Sequence, residues 1–320
     1  MYYCDVLSRA VMRAWDFFYV QEEKGMAENE NNSRFNIQWY PGHMTKTRRQ
    51  MEQDIKMVDL VAELVDARIP ISSRNPDIDN IVKDKPRLII LNRVDQADPE
   101  ETKRWSAYFK QKGYSVLETD AKTGKGVNRF SVVARESLAD QIAKWKEKGQ
   151  VGRPVRAMVV GVPNVGKSTF INHVAKRKSA KAGDRPGVTR GKQWVAVDQT
   201  LDLLDTPGIL WPKFEDEQTG LHLAFTGAVK AEIIDLETLA HHLMNLLSSR
   251  YPDALRARYN IEIPEDAQGW ELVEAAARKR GFLISGGEVD LERMSRILLD
   301  EFRSGKLGNF TLETVEEMAE

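Results

Sequence analysis

Cysteine occurs once, at Cys4, so the chain cannot close an internal disulfide, and the expected setting is a reducing compartment. No run of about 18 apolar residues is present, which removes any helical bilayer span. A zinc site is not expected either: His173, His222, His241 and His242 have no Cys/His cluster around them and read as packing or surface residues. Large net charge is also missing, at −1, but the two signs are unevenly placed. Residues 151–192 carry ten Lys/Arg against one acid, whereas 193–320 carry twelve against twenty-four. Part of that basic island, the closely spaced Lys176, Arg177, Lys178 and Lys181, points to a polyanionic partner. A length of 320 residues suggests two domains, and 42% apolar content supplies both cores. The expectation is a soluble, cytoplasmic, monomeric protein with no membrane partner.

What is present centres on Arg156 to Phe170, RAMVVGVPNVGKSTF. A Val-rich strand breaks into glycine, and Gly161 and Gly166 bracket four residues ahead of Lys167 and Ser168. That is the GxxxxGK[ST] spacing, in which successive backbone N–H groups curl around a phosphate. Lys167 would neutralise phosphate charge and Ser168 would ligate Mg²⁺. The helix begun by Thr169 turns its positive dipole end on the same anion.

Residues 1–36 read as a flexible extension: an aromatic, apolar piece to Val20, then a Glu- and Asn-rich stretch. The first piece lacks a small-residue cleavage site after a clean apolar core, so no signal peptide is read, and Met26 is an equal candidate start. From Ile37, Pro41-Gly42 sets a turn before His43, and a basic helix is expected over 45–57. Strands are expected at 58–65, 87–91 and 114–117, with helices at 100–112 and 127–148; this alternation implies a parallel α/β sheet. After the phosphate loop, 193–197 and 201–204 read as an antiparallel hairpin on the sheet edge. Beyond about Leu221, helical spacing takes over at 236–247, 270–280 and 291–302. The division expected is 37–221 for the α/β domain and 222–320 for a small all-helical C-terminal domain.

Four further stretches carry chemistry. Asn92-Arg93-Val94-Asp95 follows a strand, at the edge where open α/β sheets bind ligands. The Asp95 carboxylate can accept from guanine N1–H and its exocyclic amine, a pair adenine lacks. Asp120-Ala121-Lys122 also follows a strand, where a backbone N–H can meet the guanine O6. Thr189 offers a hydroxyl in a basic loop; strand 201–204 ends in Asp205-Thr206-Pro207-Gly208, with Asp205 able to hold Mg²⁺ through water and the Gly208 N–H able to meet a γ-phosphate.

Together, NRVD, DAK, GVPNVGKS, Thr189 and DTPG resemble the five guanine-nucleotide motifs of GTPases in rotated order, with the base-reading motif ahead of the phosphate loop. That order is similar to the circularly permuted GTPases, and QWYPGHM, SSRNP, PGVTRG and GGEVD...FRSGKLGNFTLE extend the resemblance over about 37–313. It implies a P-loop GTPase domain binding GTP/GDP, with a nucleotide shell of Asn92, Arg93, Asp95, Asp120, Ala121, Lys122, Pro163, Asn164, Val165, Gly166, Lys167, Ser168, Thr169, Thr189 and Gly208. Mg²⁺ would rest on Ser168, Thr189 and Asp205, and K⁺ on Asn164. It also implies late maturation of the large (50S) ribosomal subunit, contact with the subunit precursor and its rRNA through the C-terminal domain, and release on hydrolysis. The run Arg278-Lys279-Arg280 ahead of Ser285-Gly286-Gly287 is a candidate for rRNA phosphates. There are departures: Arg93 replaces the usual Lys, Asp120 the usual Ser, and Ile209 stands where a water-positioning Gln is common. Intrinsic hydrolysis is therefore expected to be slow, with His43 taking the water-orienting role once the ribosome binds. The rival reading is an RNA-binding assembly factor holding nucleotide as a structural ligand; an ATP-dependent enzyme is disfavoured by Asp95.

Overall fold

The computed structural model describes residues 44–82, 85–175, 193–205, 216–229 and 235–318, without the side chains of 44–48, 193 and 205. Its sheet has six strands in the order β3-β2-β1-β4-β6-β5: β1 (Leu60–Asp66), β2 (Arg87–Asn92), β3 (Ser115–Thr119), β4 (Val155–Val160), β5 (Gln193–Asp198) and β6 (Leu201–Asp205). All neighbours are parallel except β5 and β6. Strand β1 is buried along its whole length, as a strand covered on both faces must be. On one face, Met51 and Ile55 of α1 (Met44–Ile55) and Ile78 and Val82 of α2 (Pro76–Val82) pack with Val61, Met158, Val160 and Leu204. Farther along the same face, where Val65 lies four residues beyond Val61 on β1, Trp105 and Phe109 of α3 (Pro99–Gln111) pack with Val65, Ile89 and Leu91. Helix α3 starts where Asp98 accepts from the Glu100 and Glu101 N–H groups and Pro99 takes the first turn, which needs no donor.

The expected hairpin is present, but β6 is interior and pairs in parallel with β4, so of the hairpin's two strands β5 alone lies at a sheet edge. The long helix expected over 127–148 is instead a 3₁₀ turn (Val127–Arg129) followed by α4 (Phe130–Glu136) and α5 (Ala139–Glu147). The break falls at Ser137 and Leu138: the Ser137 hydroxyl bonds back to the Val133 carbonyl at 2.7 Å, and Leu138 leaves helical geometry to bury itself. Phe130 then meets Phe170 of α6 (Lys167–Val174) edge to face.

Among the described residues five α-helices follow: α7 (Glu217–Phe225), α8 (Leu236–Arg250), α9 (Pro252–Tyr259), α10 (Gly269–Lys279) and α11 (Leu291–Ser304). The boundary expected at 221/222 falls inside α7. The chain after α11 returns to the α/β part. The Phe310 and Leu312 N–H groups donate to the Gln96 and Arg68 carbonyls (2.9 and 2.7 Å), and the Trp105 indole donates to the Glu313 carbonyl at 2.9 Å. The Glu313 carboxylate accepts from the Ile71 and Ser72 N–H groups and lies 3.0 Å from His222 Nδ1. Among the described residues no helix is long and apolar enough to cross a membrane.

Candidate functional site

Because β1, β2, β3, β4 and β6 run in parallel, their C-terminal ends share one edge of the sheet, and the loops that follow them form one surface. The phosphate loop leaves β4 with its close approaches reserved for glycine. A Cβ on Gly161 (φ 155°) would stand 2.5 Å from the Leu64 carbonyl oxygen, and one on Gly166 (φ 103°) 2.5 Å from Asn92 Nδ2. Val165 tucks inward while Ser168 and Thr169 face solvent at the start of α6. Lys167 is buried, its ammonium donating to the Gly161 and Val162 carbonyls at 3.2 and 3.4 Å, so its charge already lies within the loop's curl.

The centre of the arrangement is Asn92, the last residue of β2 and 2% exposed. Its Nδ2 donates to the Val165 carbonyl (2.8 Å); its Oδ1 accepts from the Ala121 N–H (3.0 Å) and the Thr119 hydroxyl (3.1 Å). One side chain thus uses both ends of its amide to staple the phosphate loop to the stretch expected at the base O6. Arg93 takes a left-handed conformation (φ 64°), donates through Nη2 to the Asn164 carbonyl at 2.8 Å and lies 3.6 Å from the Asp66 carboxylate. Asp66 ends β1 and receives a two-pronged bond from Arg68. Burial alone would raise the Asp66 carboxyl, but Arg68, with Arg93 behind it, holds it below the usual carboxylate range.

Asp120 occupies the position where Ser is usual, and its carboxylate accepts from the Lys122 N–H (2.8 Å), the Thr123 N–H (3.2 Å) and the Thr123 hydroxyl. The turn is therefore closed by an acid in place of a hydroxyl. Burial works to raise Asp120, yet the Thr123 bonds prevail and keep it low. Asp95 shifts the other way: burial, then the Asp120 charge, push it up.

For Mg²⁺, the described donors are compatible. The Ser168 hydroxyl is exposed at the helix start, and β6 pairs Asp205 with Val159, placing the strand's acidic end beside the phosphate loop. The Asp205 side chain, His43, Thr189, Gly208 and Ile209 lie outside the described residues. Pro163 and Asn164 cap the loop's outer side, and the Asn164 Nδ2 donates to the Gly227 carbonyl at 2.6 Å. Two contributors escaped the sequence reading: Asp66 and Arg68. The rule that singled out Asn92 to Asp95, polar residues directly after a strand on the ligand edge, applies equally to Asp66-Ala67-Arg68.

The family model described as "50S ribosome-binding GTPase" matches residues 156–255. A Bacillus cereus protein named ribosome biogenesis GTPase A is 49% identical over 285 residues, covering 89% of this chain and 96% of its own length. Its Thermotoga maritima namesake is 32% identical over 88% of this chain and 96% of its own length. Mouse mitochondrial ribosome-associated GTPase 1 is 34% identical, with 86% and 89% covered. Among solved structures, GDP-bound YlqF of Thermotoga maritima superposes with a TM-score of 0.63 at 28% identity, covering 84% of this chain and all of that one.

Proposed function

We infer that this chain, which belongs to the ribosome biogenesis GTPase A family and so hydrolyses GTP in ribosome biogenesis, acts on the precursor of the large ribosomal subunit. The single observation that carries the reading of the site is the Asn92 staple, which supports the base-reading, O6-reading and phosphate stretches acting as one pocket despite their permuted order. In that pocket Asp95 reads the guanine edge and the Ala121 and Lys122 backbone the O6. The stem of Arg93 flanks the base. Pro163 to Thr169 wrap the phosphates, and Lys167 leaves its loop carbonyls for phosphate oxygens. Ser168, Thr189 and Asp205 hold Mg²⁺, which when bound neutralises charge on the transferring phosphoryl group. The Gly208 N–H meets the γ-phosphate, and the Asn164 amide oxygen contributes to a K⁺ site. His43 orients the attacking water once the subunit is bound.

The working division is a GTPase domain, 37–221, and a helical domain, 222–320, that contacts rRNA, with Arg278 to Arg280 on phosphates. The protein acts as a monomer: it joins the precursor with GTP and leaves on hydrolysis. Sucrose-gradient sedimentation tests this. Co-migration with large-subunit particles in a non-hydrolysable GTP analogue but not in GDP is expected; equal co-migration in both would refute the switch.

A further inference from the structure

The last turn of helix α11 carries Phe302 and Arg303, and each reaches the nucleotide loops by its own path. On the phosphate side, Arg303 Nε donates to the Phe225 carbonyl (2.9 Å) and Nη2 to the Ala224 carbonyl (2.8 Å). Both are last-turn carbonyls of α7, and Arg303 adds to the Gly227 N–H that Ala224 already accepts at 3.1 Å, while Phe225 lies beyond the helix's own donors. Two residues on, the Gly227 carbonyl receives the Asn164 amide at 2.6 Å. A carbonyl only accepts, so the amide nitrogen must face Gly227 and the amide oxygen must turn away from it. Asn164 needs such a hold, because its φ of 58° is a left-handed conformation that costs a residue with a Cβ.

On the base side, Arg68 Nη1 donates to the Phe302 carbonyl (3.3 Å) while its other nitrogens clamp Asp66. Asp66 in turn lies 3.6 Å from Arg93, which donates to the Asn164 backbone carbonyl at 2.8 Å. Both paths meet at Asn164, one on its side chain and one on its backbone. The far ends are adjacent residues of a helix more than a hundred positions away in sequence.

The geometry points to Arg303 as a positioning residue of the phosphate loop: by fixing the end of α7 against α11, it holds the Asn164 amide in one orientation and the loop in its left-handed turn. This rests on the phosphate loop being the nucleotide site. The consequence is reciprocal linkage. A partner that shifts α11 alters nucleotide affinity, and nucleotide alters affinity for that partner by the same factor.

The test is binding of fluorescent mant-GDP to the full chain carrying Arg303→Ala, Asn164→Ala, both together, Arg303→Lys, and Lys167→Ala as a control on the site. Arg303→Ala is expected to raise Kd by about 3- to 10-fold, and the double variant to bind no worse than Asn164→Ala, since both act through one bond. Arg303→Lys should recover part of the loss, because an ammonium still donates to the α7 carbonyls; a general loss of packing would not be rescued that way. Wild-type affinity in Arg303→Ala, or a double-variant effect equal to the product of the singles, overturns the inference. Should Arg303→Ala fail to fold, Arg303→Gln takes its place in the cycle under the same criteria. If Lys167→Ala also binds as wild type, the site assignment itself falls; if it loses binding while Arg303→Ala keeps it, only the positioning role falls.

Discussion

Replacing Asn92 by Ala removes the staple between three loops and leaves groups behind that have no alternative partner among the described residues. The Val165 carbonyl loses its 2.8 Å donor and the Ala121 N–H its 3.0 Å acceptor, both inside a site where Asn92 itself is 2% exposed. The Thr119 hydroxyl is better placed, since the Leu91 carbonyl lies 3.5 Å away as a second acceptor. Two orphaned buried groups at about 1–3 kcal/mol each give roughly 2–6 kcal/mol, and partial relaxation brings a working figure of about 2–4 kcal/mol. That loss divides between fold and ligand. Calorimetry should show a melting temperature lowered by several degrees, and mant-GDP should bind at least about tenfold more weakly, which corresponds to 1.4 kcal/mol. Asn92→Asp separates the two bonds: it keeps an acceptor for Ala121 but turns an oxygen on the Val165 carbonyl. It should therefore harm nucleotide binding at least as much as Ala does. If Asn92→Ala melts and binds mant-GDP like the parent protein, the three loops are held by something else and the pocket reading fails.

Other expectations follow from the same geometry. Asp95 is pushed up by burial and by Asp120, and only its ionised form accepts both guanine donors, so GDP affinity should weaken on acidification at a pH above that of an ordinary Asp. Asp120→Asn should move that loss to lower pH, and a Kd series from neutral to acid reads both. Glu313→Ala strands the Ile71 and Ser72 N–H groups and should cost about 2–4 kcal/mol in a denaturant titration, with far less effect on nucleotide affinity. His43→Ala should leave GTP affinity intact and abolish ribosome-stimulated turnover; stimulated turnover at the parent rate would remove His43 from the mechanism. Turnover should be faster in K⁺ than in Na⁺, and Asn164→Ala should erase the difference.

The parts of the fold legible in sequence are those with local signatures. The phosphate loop announces itself by glycine spacing, and the parallel strands by apolar runs between helical stretches. The Asn92 motif could be placed on the ligand edge because it directly follows a strand. The break at Ser137 was not legible, since a serine back-bonding to Val133 leaves the apolar spacing of 127–148 undisturbed. The interior place of β6 depends on a parallel partner, β4, that no hairpin pattern reveals. The returning chain at Phe310 to Glu313 is held by the Phe310 and Leu312 N–H groups on the Gln96 and Arg68 carbonyls and by the Glu313 carboxylate on the Ser72 N–H, and bonds over more than two hundred positions have no composition cue. For the same reason Arg303 reads in sequence as an ordinary basic residue at a helix end, and only the fold brings it to the last turn of α7.

On the proposed function the guanine pocket governs attachment to the ribosomal precursor, and changing the base the pocket reads tests this most directly. Asp95→Asn exchanges an acceptor for a donor and should shift preference from guanine to xanthine nucleotides. Sedimented with large-subunit precursors, this variant should co-migrate with them in a non-hydrolysable xanthosine triphosphate analogue and not in the guanosine one, while the parent protein does the reverse. Co-migration of Asp95→Asn that is the same with either analogue, or with no nucleotide at all, would contradict the account.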